Sequence, residues 1–245
     1  MQTLTRSLTL QAGNSSHPFH ADPYILRDIT VQSYDLFGPR LGFLKLTSTV
    51  SNSAGEKLPG AVFLRGPSVA MLVLLVPDDT PADTAEKYAL LTVQPRVAAG
   101  SLGFVEIPAG MVDEAGQFAG AAAKEIKEEL GLEISESELT CLSELADPGP
   151  STGGTDHGGE EELAAAMFPS PGACDESIRI YLHERRVPRA ELDSWTGRLT
   201  GLREDGEKIT LKLVPTENLW REAARDGKTL AALALWEGLK REGKL

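Results

Sequence analysis

The segment Ala123-Lys124-Glu125-Ile126-Lys127-Glu128-Glu129-Leu130-Gly131 decides how this chain is read. Alanines at 119, 121, 122 and 123 favour an α-helix over residues 118–130, and Gly131 suits the left-handed position just past a helix end. Glu125, Glu128 and Glu129 then stand at i, i+3 and i+4, which puts three carboxylates on one face with Cβ atoms within about 6 Å. Like charges so spaced repel, whereas a hard divalent cation with oxygen ligands turns the same spacing into a binding site. Read alone, the segment is an ordinary solvated face, because Glu-rich helices interspersed with Lys usually are. Asp113 and Glu114, just ahead of it, suit the positive end of the helix dipole.

Working outward, Val69-Ala-Met-Leu-Val-Leu-Leu-Val is a continuous apolar run and predicts a central strand buried on both faces. Residues 88–94 and 103–108 predict further strands, as do the alternating stretches 178–182 and 209–214. Residues 29–34 and 43–50 alternate only in part and predict half-buried antiparallel strands. Two helices are predicted in the tail, over 216–225 and 229–241. Residues 1 to about 20 are polar and predict a flexible leader; 51–60 predict a linker, and 148–162 a surface insertion. The resulting expectation is an α+β fold, with residues 1–57 as leader and N-terminal antiparallel strand region and 58–245 as the main domain.

The net charge of −12 argues against broad binding to nucleic acid or an anionic membrane, both of which need clustered Lys and Arg. It leaves phosphorylated small molecules open, since a metal ion reverses the local sign of an acidic pocket. Cys141 and Cys174 lack metal-type spacing and read as reduced thiols of a cytosolic protein. No apolar run is long enough to cross a bilayer as a helix, and no signal core opens the chain. Residues 1–21 carry six Ser or Thr and no acid, but Arg6 is their only Arg, so a leader in a cytoplasmic protein is expected over an organelle transit peptide. His17, His20, His157 and His183 show neither triad nor zinc spacing.

The acidic segment also resembles the Nudix signature: Gly, five residues, Glu, seven residues, Arg-Glu, an aliphatic, any residue, Glu-Glu, any residue, Gly, an aliphatic. Gly110, Glu125, Ile126, Glu128, Glu129, Gly131 and Leu132 occupy seven of its nine fixed places in register. Gly116 stands where that family has its first Glu, and Lys124 where it has Arg, so the usual bracing of the box is changed while its metal-facing glutamates are kept. Glu106-Ile-Pro-Ala-Gly110, Gln94-Pro-Arg96 and Phe168-Pro-Ser-Pro-Gly172 with Glu176 are similar to segments of ADP-ribose and nucleotide-sugar pyrophosphatases. Leu64-Arg65-Gly66-Pro67 and Thr200-Gly-Leu-Arg-Glu204 resemble plant-type ADP-sugar diphosphatases.

The resemblance implies a Nudix fold, a mixed sheet between helices. It implies Mg²⁺, with Mn²⁺ as substitute, on Glu125, Glu128, Glu129 and the Ala109 carbonyl, and Arg96, Arg65 and Glu106 at the substrate. Catalysis would rest on Glu128, Glu129 and Glu176, one of which takes the proton of the attacking water. The implied reaction is cleavage of the diphosphate of a nucleoside diphosphate sugar, such as ADP-glucose or ADP-ribose, by a homodimer. A non-catalytic nucleotide-binding protein with a degenerate box is the competing expectation, supported by Gly116 and Lys124.

Overall fold

The computed structural model describes residues 2–81, 83–112, 117–147, 163–202 and 207–245. Asp113, Glu114, Gly116, His157, the insertion expected at 148–162, and the Arg203-Glu204 pair lie outside the described residues. The chain divides into two compact units, Met1–Gly66 with Pro148–Ser177, and Pro67–Asp147 with Ile178–Leu245.

In the first unit the polar N-terminal stretch, expected to be flexible, is largely helical. It forms helix α1 (Gln2–Gly13), whose Gln11 side chain is buried, with its Oε1 accepting from the Tyr24 backbone N–H at 2.9 Å. Strands β1 (Ile25–Phe37) and β2 (Arg40–Ser51) make a long antiparallel ribbon, and β3 (Lys57–Leu58) and β4 (Ala61–Leu64) both pair with β2. Register shifts fall between Leu26 and Asp28, Val31 and Ser33, and Asp35 and Leu36. Each shift re-aims the side chains beyond it, which is why the sequence alternates only in part. The segment expected as a linker contributes β3. Ile29, Val31, Tyr34, Leu36 and Leu41 of the ribbon are exposed.

The second unit is built on an eight-stranded mixed sheet among the described residues. Its strands are β5 (Ser68–Pro77), β6 (Tyr88–Arg96), β7 (Ser101–Glu106), β8 (Ala109–Met111), β9 (Thr140–Cys141), β10 (Ile178–Val187), β11 (Leu199–Thr200) and β12 (Ile209–Pro215). The order is β11-β12-β6-β5-β10-β9, with β7 on β6 and β8 on β5. Only β5 and β10 run parallel among the described pairs. All ten residues of β5 are buried, as its unbroken apolar run requires of a strand covered on both faces. Val69, Met71, Val73 and Leu75 point to one side and pack with Ala122, Ile126 and Leu130 of the acidic helix, α2 (Phe118–Glu125), and its extension. The alternate residues Ala70, Leu72, Leu74 and Val76 point the other way. Against β5 and β10 packs α6 (Gly227–Arg241), which buries Ala232, Leu233, Trp236 and Leu239.

The short helices α3 (Leu142–Ala146), α4 (Arg189–Leu192) and α5 (Leu219–Glu222) complete the unit. The first tail helix is therefore much shorter than expected, a 3₁₀ turn (Thr216–Asn218) followed by α5. Cys141 and Cys174 are free thiols.

Candidate active site

The acidic segment is a helix, but not one regular helix. After Glu125 the backbone passes into a π-helical turn (Ile126–Leu130) that ends at Gly131, where φ is 71° and the N–H donates to the Lys127 carbonyl at 3.0 Å. The left-handed position expected of Gly131 is thus present. A π-turn turns through fewer degrees per residue than an α-helix, so spacings read on an α-helix do not carry over unchanged. Glu128 also reaches back to Lys124, Nζ to Oε1 3.9 Å. Glu128 and Glu129 both interact with Glu125 through charge, and among the described residues no three acidic, His or Cys side chains already converge as a metal cluster.

Several elements hold the pair. Glu129 is 6% exposed. Its Oε1 accepts from Gln94 Nε2 of β6 at 3.3 Å, and its Oε2 from the Ala109 backbone N–H of β8 at 3.1 Å. The Thr200 hydroxyl of β11 donates to the Glu129 backbone carbonyl, satisfying one of the orphan acceptors at a helix end. Gly110 admits Glu125, since a Cβ there would lie 1.8 Å from Glu125 Oε1. That contact is the physical reason for a Gly at this place, fifteen residues ahead in the chain yet in touch across the site.

The electrostatics are set by burial and by like charges. Burial, then the charge of Glu125, push Glu129 up to about 8, against the opposing hydrogen bonds from Gln94 and Ala109 and the charge of Arg96. Burial, then Glu128 and Glu207, push Glu125 up to about 7, with Lys124 opposing. Among the described residues Glu125 makes no hydrogen bond or ion pair. Hard oxygen donors, half-buried and mutually repelling, fit a divalent cation such as Mg²⁺ or Mn²⁺. Softer metals would want thiolate or imidazole, and neither lies in the cluster.

Beside this pair lies a second set of charges. Glu106, 1% exposed, accepts from Arg96 Nε at 2.5 Å through one oxygen and from Lys228 Nζ at 2.8 Å through the other. Lys228 also bonds Asp226 Oδ1 at 2.8 Å. Asp226 is the N-cap of α6, accepting from the backbone N–H groups of Lys228 and Thr229, and its Oδ2 also takes the Ile107 N–H at 3.3 Å. Glu106 is therefore the partner of two cations.

The remaining expected site residues, Arg65 and Glu176, belong to the other unit, where Arg65 Nη2 and Glu176 Oε1 pair at 3.3 Å. Around them Asp175 Oδ1 accepts from the backbone N–H groups of Arg65 and Gly66 at 2.7 and 3.1 Å, and the Phe63 N–H donates to Ala173 O at 2.7 Å. The Ser-Pro-Gly segment is thereby fastened to β4.

Three residues of the second unit were not singled out in the sequence, Glu207 as a charge acting on Glu125, and Asp226 with Lys228, while Thr200 stood only within a motif and not as a backbone anchor. Lys228 had a legible signal. A Lys in the first turn of a helix opposes the dipole, so it needs a carboxylate nearby.

A family model described as NUDIX domain matches residues 66–233. The chain belongs to the Nudix family. Nudix hydrolase 14, chloroplastic, of Arabidopsis thaliana is 40% identical over 220 residues, which are 89% of this chain and 64% of that protein. The chain thus spans slightly less than two thirds of the length of this relative. A crystal structure of an ADP compounds hydrolase aligns over 91% of this chain and 97% of its own, with a TM-score of 0.56 and 17% identity. At that identity the likeness is one of fold, and it agrees with the mixed sheet and helices expected of a Nudix protein. Among the described residues no helix is long and apolar enough to cross a membrane.

Proposed function

We propose that this Nudix protein hydrolyses the diphosphate bond of a nucleoside diphosphate sugar, such as ADP-glucose or ADP-ribose, to a nucleoside monophosphate and a sugar phosphate. The observation that carries the reading is the pair Glu125 and Glu129, part-buried and buried, raised to about 7 and about 8 by burial and then by neighbouring carboxylates. Such carboxylates are unfavourable in a fold unless a cation is their business. The names of a relative and of a structural neighbour, a Nudix hydrolase and an ADP compounds hydrolase, support the substrate class.

When bound, Mg²⁺ supplies polarisation of the phosphoryl oxygens and a counter-charge for the phosphate that leaves. Glu125, Glu128 and Glu129 would hold it, with a backbone carbonyl at Ala109. The Gln94 and Ala109 donors keep the Glu129 carboxylate in one orientation, so little is left to reorganise during the reaction. Arg96 lies close enough to act on Glu129 and offers its guanidinium to a diphosphate oxygen. The proton of the attacking water is assigned to Glu128, which is part-exposed and engaged by Lys124 only at 3.9 Å. Glu176 is the competing base, and Gln at each position separates them, because the true base loses kcat most.

The test is a panel of nucleoside diphosphate sugars with and without Mg²⁺, with the products identified. Release of AMP together with a sugar phosphate, lost in Glu129→Gln, is expected. Tight nucleotide binding without turnover on any member would instead establish a non-catalytic binder. We also infer a homodimer and a cytoplasmic or organellar soluble setting; the exposed apolar side chains of the β1–β2 ribbon support self-association.

A further inference from the structure

The Glu106 carboxylate is the middle of a chain of charges, Arg96 to Glu106 to Lys228 to Asp226, that runs from the carboxylate pair to the start of α6. Its geometry has a direction. Arg96 spends only Nε on Glu106, and among the described residues neither of its terminal nitrogens makes a hydrogen bond. A guanidinium held by Nε keeps its terminal edge for a planar or bidentate oxygen partner. It can do so only while Glu106 stays fixed. One Glu106 oxygen is used on Arg96, so the orientation of the carboxylate rests on the other, which belongs to Lys228 at 2.8 Å. Lys228 is in turn pinned by Asp226, whose place is set by capping α6 and by the Ile107 N–H.

We propose that Lys228 is a positioning residue for the substrate diphosphate: through Glu106 it fixes Arg96 so that the Arg96 terminal nitrogens face the incoming anion. The proposal rests on the functional reading above and adds a residue to it. Lys228 touches no substrate in this account. Its own side chain is in a balanced set, two cations and two carboxylates, so its loss unpairs one oxygen of a carboxylate that is 1% exposed. That oxygen must find another donor, and Arg96, already held on the other oxygen, can turn its terminal edge toward it. The fork that should meet the diphosphate would then be spent on Glu106.

The α6 cap uses the backbone N–H of Lys228, at 3.2 Å from Asp226 Oδ1, so substitution of the side chain leaves the cap donors in place. The experiment is equilibrium binding of ADP to the metal-free protein by calorimetry, with steady-state kinetics on an ADP-sugar alongside. Lys228→Met is expected to weaken ADP binding and raise KM by roughly tenfold, the size of one lost charged hydrogen bond, with kcat changed much less. Lys228→Arg is expected to restore both, and Lys228→Gln serves as a second variant should the Met form fail to fold. In the Arg96→Lys background, where no fork remains to be held, Lys228→Met should add little, whereas a merely structural role predicts that the two effects multiply. Equal ADP binding by native and Lys228→Met protein overturns the role of Lys228 alone. Absence of ADP binding and of turnover in the native chain overturns the functional reading and this proposal with it.

Discussion

At the scale of single residues, the site is marked by side chains that a fold alone would not choose. Glu129 is buried among donors that offset only part of its desolvation, and Glu125 has no partner among the described residues. A carboxyl whose folded-state value lies above its unfolded value contributes stability below the unfolded value and loses it as pH rises through the folded one. For values of about 7 and about 8, stability of the metal-free protein should fall between about pH 5 and pH 8.5, by on the order of 3 kcal/mol after screening. Thermal unfolding checks this, and Mg²⁺ should stabilise far more at pH 8 than at pH 6, since only the ionised pair needs it. A flat profile without metal would remove the electrostatic argument. Glu129→Gln should raise the unfolding temperature of the metal-free protein at pH 8 while abolishing turnover, as expected where a fold carries a group for function. Gly110→Ala places a Cβ 1.8 Å from Glu125 Oε1 and must displace that carboxylate. A Mg²⁺ affinity at least about tenfold weaker is expected, a loss of one charged ligand's worth of interaction, read by titration.

At the scale of elements, the π-turn over Ile126–Leu130 is the feature that sequence spacing did not convey. Residues i, i+3 and i+4 were legible as an acidic face, because an α-helix is the default continuation of an Ala-rich start. Widening by one residue depends on tertiary partners instead, among them the Thr200 hydroxyl on the Glu129 carbonyl, which lies seventy-one residues away in the chain. The central strand β5 was readable within one residue at each end, since being buried on both faces forces an unbroken apolar run. The β1–β2 ribbon was readable only in part, because its register shifts break the period-two pattern, and helix α1 was missed because its one buried anchor, Gln11, is polar. Thr200→Val should leave the Glu129 carbonyl unpaired, cost about 1–2 kcal/mol of stability and lower turnover more than that loss explains. A variant as stable and active as the native chain would show that β11 has no hold on the turn.

At the scale of the whole molecule, each unit carries something the other reading frame would miss. Arg65 and Glu176 were expected at the site only through resemblance, and no local pattern conveyed their mutual pair at 3.3 Å. Their sequence positions are more than a hundred apart, and the backbone hydrogen bonds between Phe63 and residues 173 and 175 leave no trace in residue type. The exposed Ile29, Val31, Tyr34, Leu36 and Leu41 on the β1–β2 ribbon are a different matter, because a group of exposed apolar side chains wants a cover. Light scattering on the native chain should give the mass of a dimer, and Val31→Lys with Leu36→Lys should give a monomer. A native monomer would end the dimer proposal without touching the carboxylate site.

The central claim is that Glu125 and Glu129 together seat a divalent cation. Binding of Mn²⁺, followed by electron paramagnetic resonance at pH 8, tests it without reference to any substrate. The native chain should remove free Mn²⁺ from solution and Mg²⁺ should compete for the same place, while Glu129→Gln should bind it at least about tenfold more weakly. Equal Mn²⁺ binding by the native chain and by Glu129→Gln would contradict the account.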